Sequence, residues 1–169
     1  MSLEFSYIGF GANLGQPQEM LDWVLQEMDG ARGKVRRVSR VYQTTPWGNA
    51  PGPDYMNAVI EFETSQSARD LFVMLTELER ASGRERPYAN APRVCDLDLL
   101  LHRDEIITQH DLTVPHPHLH LRRFVLSPLC DLVSEEKHPL MEVSFRELLN
   151  RVADDGKVVP IVSRGTVTL

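Results

Sequence analysis

Residues 55–64 read YMNAVIEFET, and within this stretch Met56, Ala58, Ile60 and Phe62 stand at alternate positions. A hydrophobic period of two is the signature of a half-buried β-strand, because successive side chains point to opposite faces of a sheet. The segment therefore predicts a strand with one face against a hydrophobic core.

Three further elements are predicted before this strand. The apolar run Phe5–Phe10 leads into the turn-forming stretch Gly11–Gly15 and predicts a first strand. A helix is expected to begin at Pro17, with apolar residues at helical spacing and a stop at Gly30. The β-branched segment Val35–Thr44 predicts a second strand, although its valines lie three apart, which leaves a bulge or a helical segment open.

The remaining elements complete a recognisable order. Residues 45–53 contain three prolines and two glycines and form a loop. Ser67 is a suitable N-cap for a helix that ends at Gly83, and Cys95–Leu101 predicts a strand with its alternate leucines on one face. The order βαββαβ is typical of a ferredoxin-like α+β sandwich, in which two helices cover one face of the sheet.

The C-terminal part of the chain is expected to add to this unit. Ser144-Phe145-Arg146-Glu147 is a capping box and predicts a short helix. No motif marks a second domain, so we expect one domain over residues 1–169 with C-terminal additions.

Composition narrows the possible partners. The chain has 169 residues, 42% of them hydrophobic, and a formal net charge of 18 − 24 = −6. These values are typical of a globular protein and do not favour nucleic-acid binding, which usually needs a concentrated basic face. The sequence shows no long apolar run and only two cysteines, so we expect a cytoplasmic protein without a membrane partner.

Asp96-Leu97-Asp98 is the most informative tripeptide. In a strand, positions i and i+2 project to the same side, so the two carboxylates lie together. Adjacent anions repel unless a cation sits between them, and Mg²⁺ that bridges to phosphate oxygens is a suitable one. The alternative is that both side chains simply face water.

Arginines surround this pair in the sequence. Arg84, Arg86 and Arg93 lie just upstream, and guanidinium groups bind phosphates and offset the charge that develops in phosphoryl transfer. A solvated loop would explain the same residues. His116 and Arg122 are further candidates for phosphate contacts, with an exposed basic turn as the alternative, and zinc binding by the nearby histidines is disfavoured.

Aromatic residues indicate a second ligand. Trp47, Tyr55 and Phe124 could sandwich a flat heterocycle, and the Asn57 amide could hydrogen-bond to its edge. Core packing is the alternative, and it is least satisfactory for Trp47, which lies in a loop rich in proline and glycine.

Together these segments resemble the 6-hydroxymethyl-7,8-dihydropterin pyrophosphokinase family of folate biosynthesis, over roughly residues 5–135. The segments that carry the resemblance are Gly11–Gly15, Tyr42–Pro46, Asp54–Ala58, Glu79 with Gly83-Arg84, Pro92–Leu100, and Leu112–Pro117 with Arg122–Phe124.

The resemblance implies transfer of a pyrophosphoryl group from ATP to the hydroxymethyl oxygen of a reduced pterin, with release of AMP. It implies that Asp96 and Asp98 hold two Mg²⁺ ions. It also implies that these two aspartates are catalytic residues, together with Arg84 and Arg93. The implied ATP-binding residues are Glu79, Arg84, Arg86, Arg93, Leu99, Thr113, His116 and Arg122. The implied pterin-binding residues are Thr44, Thr45, Trp47, Tyr55, Asn57 and Phe124. ATP and the pterin are the expected partners, and a partner among other folate-pathway enzymes stays open.

One departure from the family pattern leaves alternatives open. Tyr88-Ala89-Asn90-Ala91 stands where the family usually has a basic residue or Arg-Trp. A diverged paralogue that acts on another pterin-like alcohol is therefore a second hypothesis. A noncatalytic ferredoxin-like module that lays RNA across its sheet is a third.

Overall fold

The computed structural model describes residues 3–83 and 93–161. Its strands and helices, in chain order, are β1 (Ser6–Ala12), α1 (Pro17–Met28), β2 (Lys34–Val38), β3 (Tyr42–Thr44), β4 (Tyr55–Glu63), α2 (Ala68–Ala81), β5 (Asp96–His102), β6 (Ile107–Thr108), β7 (Thr113–Val114), α3 (Arg123–Val133), α4 (Phe145–Arg151) and β8 (Val158–Pro160). Single 3₁₀ turns occur at Trp47–Asn49 and Leu119–Leu121.

One antiparallel sheet organises the molecule. Its strands lie in the order β5-β1-β4-β3-β8, and β2 pairs with the half of β4 that β3 leaves uncovered. The two strands predicted with the strongest apolar patterns, β1 and β4, are central and pair along seven residues. This arrangement confirms the ferredoxin-like α+β prediction.

The predicted second strand is two strands in the structure. The backbone N–H of Ser39 donates to the carbonyl of Val59 at 2.9 Å, and its Oγ accepts from the Val59 N–H at 2.8 Å. These two bonds end β2 and turn the chain before β3 begins at Tyr42. The spacing of the valines is explained by a register shift between Val35 and Arg37, where a bulge was one of the alternatives.

Helices cover both faces of the sheet. On one face, α1 and α2 pack against Ile8, Phe10, Ile60 and Phe62, as the sandwich prediction requires. On the other face, α3 and α4 pack against residues that include Tyr7 and form a second buried cluster. The C-terminal additions therefore complete the core.

A one-residue bulge in β5 changes which of its side chains face each side of the sheet. Tyr7 pairs with Leu101 and Ile8 pairs with Leu99, so Leu100 has no partner in this ladder. The sequence predicted Leu97, Leu99 and Leu101 on one face, but Leu101 belongs to the cluster beneath α3 and α4.

Both predicted helix caps are present. Ser67 Oγ accepts from the backbone N–H of Asp70 at 3.1 Å, and Ser144 Oγ accepts from that of Glu147 at 3.2 Å. Across the residues that the structure describes, no helix has the length and apolarity needed to cross a bilayer.

Candidate active site

Two glycines form the floor of a cleft beside α3. Gly9 lies between Val59 and Asp98 in the sheet, and Gly11 lies between Asn57 and Asp96. A Cβ at position 11 would come within 2.8 Å of the Asn57 Oδ1 atom. Glycine at this position leaves space above the sheet, with an amide on one side and two carboxylates on the other.

Asp96 and Asp98 begin β5 on the cleft side of the sheet, and both are partly buried. Burial, and then the neighbouring Asp96 carboxylate, raise the pKa of Asp98 to about 7. Arg93 and Arg122 act in the opposite direction but do not cancel this rise. The two carboxylates therefore line a partly buried cleft and do not simply face bulk water.

Arg93 is held firmly at the acidic pair. One of its terminal nitrogens lies 2.6 Å from Asp96 Oδ2, and both side chains are less than a fifth exposed, at 15% and 18%. Asn13 fixes the backbone there, because its Oδ1 accepts from the Arg93 N–H at 2.8 Å. The Asn13 amide also donates to the Pro53 carbonyl at 3.0 Å, and so ties together loops from opposite sides of the cleft.

The role of Asn13 was not predicted from the sequence, although the residue lies inside the Gly11–Gly15 motif. Its buried side chain, 6% exposed, sits in a turn where an exposed asparagine would be ordinary. Only the partners, 40 and 80 residues away along the chain, reveal what it does.

Arg122 lies between the aromatic residues expected to bind a heterocycle. Its guanidinium carbon is 4.5 Å from the centre of the Trp47 ring and 5.6 Å from that of Phe124. The Nε atom is buried without a hydrogen-bond partner among the described residues, and burial lowers the pKa of this guanidinium. Arg122 therefore joins the aromatic wall of the cleft to its acidic end, and offers an unused donor.

The remaining pterin-site candidates line the same cleft. The Asn57 amide donates to Thr44 Oγ1 at 2.6 Å, and both side chains are buried. Tyr55 and Thr45 border the space beside them. The six predicted pterin-binding residues are thus brought together with Arg93, Asp96, Asp98 and Arg122.

Four predicted ATP-site residues lie outside this lining. Glu79 Oε1 accepts from the Leu97 N–H at 2.8 Å and joins the end of α2 to β5. Leu99 is buried in the core on the opposite face, and Thr113 pairs with Thr108 in the β6-β7 hairpin. His116 donates its N–H to the Leu100 carbonyl at 2.9 Å.

The His116 ring is neutral near pH 7, because burial and the nearby Arg122 lower its pKa to about 4. Its Nδ1 accepts from the backbone N–H of His118, which leaves Nε2–H as the donor of the ring. Arg84 and Arg86, predicted at the phosphates, lie outside the described residues.

The acidic pair fits Mg²⁺. Carboxylate oxygens are the ligands that this ion prefers, and a cation would offset both the burial and the repulsion from Asp96 that raise the pKa of Asp98. Within residues 3–83 and 93–161, no three His, Cys, Asp or Glu side chains converge as a metal cluster. Mg²⁺ commonly takes one or two carboxylates and completes its shell with phosphate oxygens and water, so two aspartates suffice.

Comparisons with known proteins agree with this arrangement. Residues 7–134 match the sequence profile of 7,8-dihydro-6-hydroxymethylpterin-pyrophosphokinase (HPPK). The 2-amino-4-hydroxy-6-hydroxymethyldihydropteridine pyrophosphokinase of Haemophilus influenzae is 35% identical over 150 residues, which cover 88% of this chain and 93% of that protein. The protein of the same name from Pseudomonas aeruginosa is 34% identical over 134 residues, which cover 79% of this chain and 83% of its own.

A solved structure shares the fold. The Plasmodium falciparum HPPK-DHPS wild type, crystallised with pteroate, superposes with a TM-score of 0.72 at 14% identity. The superposition covers 89% of this chain but 42% of that one, so the chain spans less than half the length of that protein. Since the profile match extends over most of the chain, this protein belongs to the 7,8-dihydro-6-hydroxymethylpterin-pyrophosphokinase family.

Proposed function

We propose that this chain transfers pyrophosphate from ATP to the hydroxymethyl group of 6-hydroxymethyl-7,8-dihydropterin and releases AMP, a step of folate biosynthesis. The observation that carries the proposal is the union of two half-sites in one cleft. An aromatic and amide half suits a flat, hydrogen-bonding heterocycle, and an acidic and cationic half suits metal-bound phosphates. Family membership indicates which ligands these are, because the family is named for transfer of pyrophosphate to a pterin.

In the pterin half, Tyr55 and Phe124 would contact the faces of the ring system. Asn57 would bind its edge, because an amide supplies both a donor and an acceptor. Thr44 holds that amide through its hydroxyl, and Gly11 leaves the room that the amide needs. Thr45 and Trp47 would close the rim of this pocket.

In the nucleotide half, Arg93 and Arg122 would bind the triphosphate. The buried Nε–H of Arg122 has no acceptor among the described residues, and a phosphate oxygen would supply one. His116, Glu79, Leu99 and Thr113 stay predictions for ATP contacts, and Leu99 could take part only through its backbone, since its side chain is in the core.

The reaction needs positioning more than covalent chemistry. The hydroxymethyl oxygen forms a bond to the β-phosphorus of ATP and loses its proton, while the bond from that phosphorus to the α–β bridging oxygen breaks. AMP leaves with the bridging oxygen. Arg93, fixed by Asp96 and Asn13, would meet the charge that develops on the transferring phosphates.

Asp96 and Asp98 would hold two Mg²⁺ ions, which when bound supply charge neutralisation and polarisation of the transferred group. The loops near Trp47 and Arg93 would exclude water, so that ATP is not hydrolysed instead. Asn13 bonds to Pro53 in the first and to Arg93 in the second, and would hold the two segments in a fixed relative position.

The RNA-binding alternative loses support from the fold. Such modules present an open sheet face for bases, whereas here α1 and α2 cover one face and α3 and α4 pack on the other. No described feature favours the paralogue over the proposed reaction.

The deciding experiment combines the purified protein with ATP, Mg²⁺ and 6-hydroxymethyl-7,8-dihydropterin, and quantifies AMP and the pterin diphosphate. We expect equimolar formation of both products. Other pterin alcohols, tested in parallel, address the paralogue: faster turnover of one of these would transfer the assignment to it. ATP binding without AMP formation from any alcohol would refute the proposed activity.

A further inference from the structure

The segment that follows α4 returns to the cleft. Residues 152–157 lead into β8, which pairs with β3 so that Val158 lies opposite Thr44. This segment carries no recognisable sequence motif and lies beyond the region matched by the family profile, which ends at residue 134. Its contacts nevertheless reach both walls of the pocket proposed for the pterin.

Asp154 uses each carboxylate oxygen for a different bond. Its Oδ2 accepts from the backbone N–H of Arg123 at 3.0 Å, and its Oδ1 accepts from that of Gly156 at 2.9 Å. Arg123 is the first residue of α3, a helix with no side-chain cap of its own. The carboxylate therefore caps α3 from a distant segment, where it also complements the positive end of the helix dipole.

Arg123 strengthens this attachment. Its Nε donates to the Asp154 carbonyl at 3.0 Å, and a terminal nitrogen donates to the Val152 carbonyl at 3.4 Å. Arg122 and Phe124 flank Arg123 in the chain, so the bond to its backbone fixes the place from which both project. One wall of the pocket is thus tied to Asp154.

The second oxygen leads to the opposite wall. By bonding to Gly156, Asp154 closes a turn that presents Lys157 to Thr45. The Lys157 N–H donates to Thr45 Oγ1 and its carbonyl accepts from the Thr45 N–H, both at 3.1 Å. Thr45 is the base of the loop that carries Trp47.

We infer that Asp154 is a positioning residue that sets the spacing between the Trp47 loop and the Phe124 end of α3, and thereby the fit of the pterin. The role assigned to this spacing rests on the proposed function, but the contacts do not. Asp154 is not among the residues that line the cleft and acts through Gly156 and Arg123.

Two variants separate the role of Asp154 from a general effect of charge. Asp154→Asn keeps one acceptor oxygen where two are needed, so one of the two bonds is lost. Asp155→Asn makes the same chemical change at an exposed neighbour and is the matched control. For each variant, kcat, both KM values and the thermal midpoint are measured with the full chain.

We expect Asp154→Asn to raise the KM for the pterin about tenfold, the fold-change that one charge-assisted hydrogen bond produces. The KM for ATP should rise less. Arg122 is next to the Asp154 attachment, but Arg93, the other arginine proposed to bind the triphosphate, lies on a segment that Asp154 does not contact. The kcat should stay close to that of Asp155→Asn, and the thermal midpoint should fall by only about 2–4 °C, as expected for loss of one cap bond. Equal pterin KM values in the two variants, or a loss of kcat that follows the thermal midpoint, would overturn the inference.

A ligand-free measurement keeps this test independent of the proposed function. In a Trp23→Phe background, Trp47 is the remaining tryptophan, and it is 39% exposed. Release of its loop in Asp154→Ala should increase collisional quenching by acrylamide, up to about 2.5-fold if the ring becomes fully accessible. Quenching equal to that of Asp155→Ala would refute the positioning role of Asp154 even if the protein proves to act on another substrate.

Discussion

Replacement of Asp98 with asparagine should stabilise the ligand-free protein at alkaline pH and abolish its turnover. Burial beside Asp96 raises the pKa of Asp98 to about 7, whereas an aspartate in an unfolded chain titrates near 4. The folded state therefore binds this proton more tightly than the unfolded state does. As a result, the free energy of unfolding falls as the pH rises through the interval from about 4 to about 7.

The size of the effect follows from the two pKa values. Each unit between them corresponds to ~1.4 kcal/mol, so ionised Asp98 should cost the folded state about 3 kcal/mol more at pH 8 than at pH 4.5. Asparagine keeps the shape without this titration. Between pH 4.5 and pH 8, the melting temperature of the variant should therefore rise by roughly 6–12 °C relative to that of the unmodified protein.

Melting curves at several pH values, recorded without Mg²⁺ or nucleotide, test this reasoning, since the two proteins differ only in the group at position 98. Mg²⁺ added at pH 8 should stabilise the unmodified protein more than the variant. The variant should form AMP at a rate lower by orders of magnitude. Parallel stability curves for the two proteins would refute the buried-charge argument, and near-normal turnover would refute the role of Asp98 as a metal ligand.

Two further predictions concern the floor and the edge of the cleft. Gly11→Ala should raise the KM for the pterin about tenfold or more, because its Cβ would lie 2.8 Å from Asn57 Oδ1 and displace that amide. Gly9→Ala should have a much smaller effect in the same steady-state assay, because the nearest atoms to its Cβ belong to Leu100 at an ordinary contact distance of 3.5 Å. Glu79→Ala should lower the free energy of unfolding by about 1–3 kcal/mol in urea titrations, because it leaves the N–H of Leu97 without its carboxylate acceptor; unchanged stability would show that this bond contributes nothing.

Local patterns were sufficient to predict most of the fold. The alternation at Met56–Phe62 and the Ser67 and Ser144 caps depend on residues close in sequence, and the structure contains the strand and both caps. The prediction that this strand is half-buried was wrong, because residues 57–62 are all buried and α3 and α4 cover the second face of the sheet. The break at Ser39 could not be predicted, because the residue that bonds it, Val59, lies 20 positions away. The bulge at Leu100 was missed for the same reason, since register belongs to a pair of strands and not to one of them.

The candidate site divides in a similar way. Residue chemistry and the family resemblance together predicted two half-sites, and the cleft brings ten of the predicted residues together. They did not predict that Arg122 lies against Trp47, nor that Asn13 links two loops. The Asp154 attachment was missed as well, because it joins residues 31 positions apart in a segment without a motif.

The bulge at Leu100 determines where β5 tolerates an insertion or a deletion. Before the bulge, the even-numbered residues Asp96 and Asp98 face the cleft, and after it Leu101 faces the same side and packs beneath α3. The extra residue lets Leu100 and Leu101 both join the cluster beneath α3 and α4, while Leu99 stays in the cluster beneath α1 and α2. Deletion of Leu100 would remove the bulge and leave Leu101 opposite Tyr7, so it should cost the packing of one leucine and keep the aspartates in the cleft. A one-residue insertion or deletion between Asp96 and Leu99 should instead turn a carboxylate away from the cleft, because a shift of one position reverses the face of each side chain in a strand.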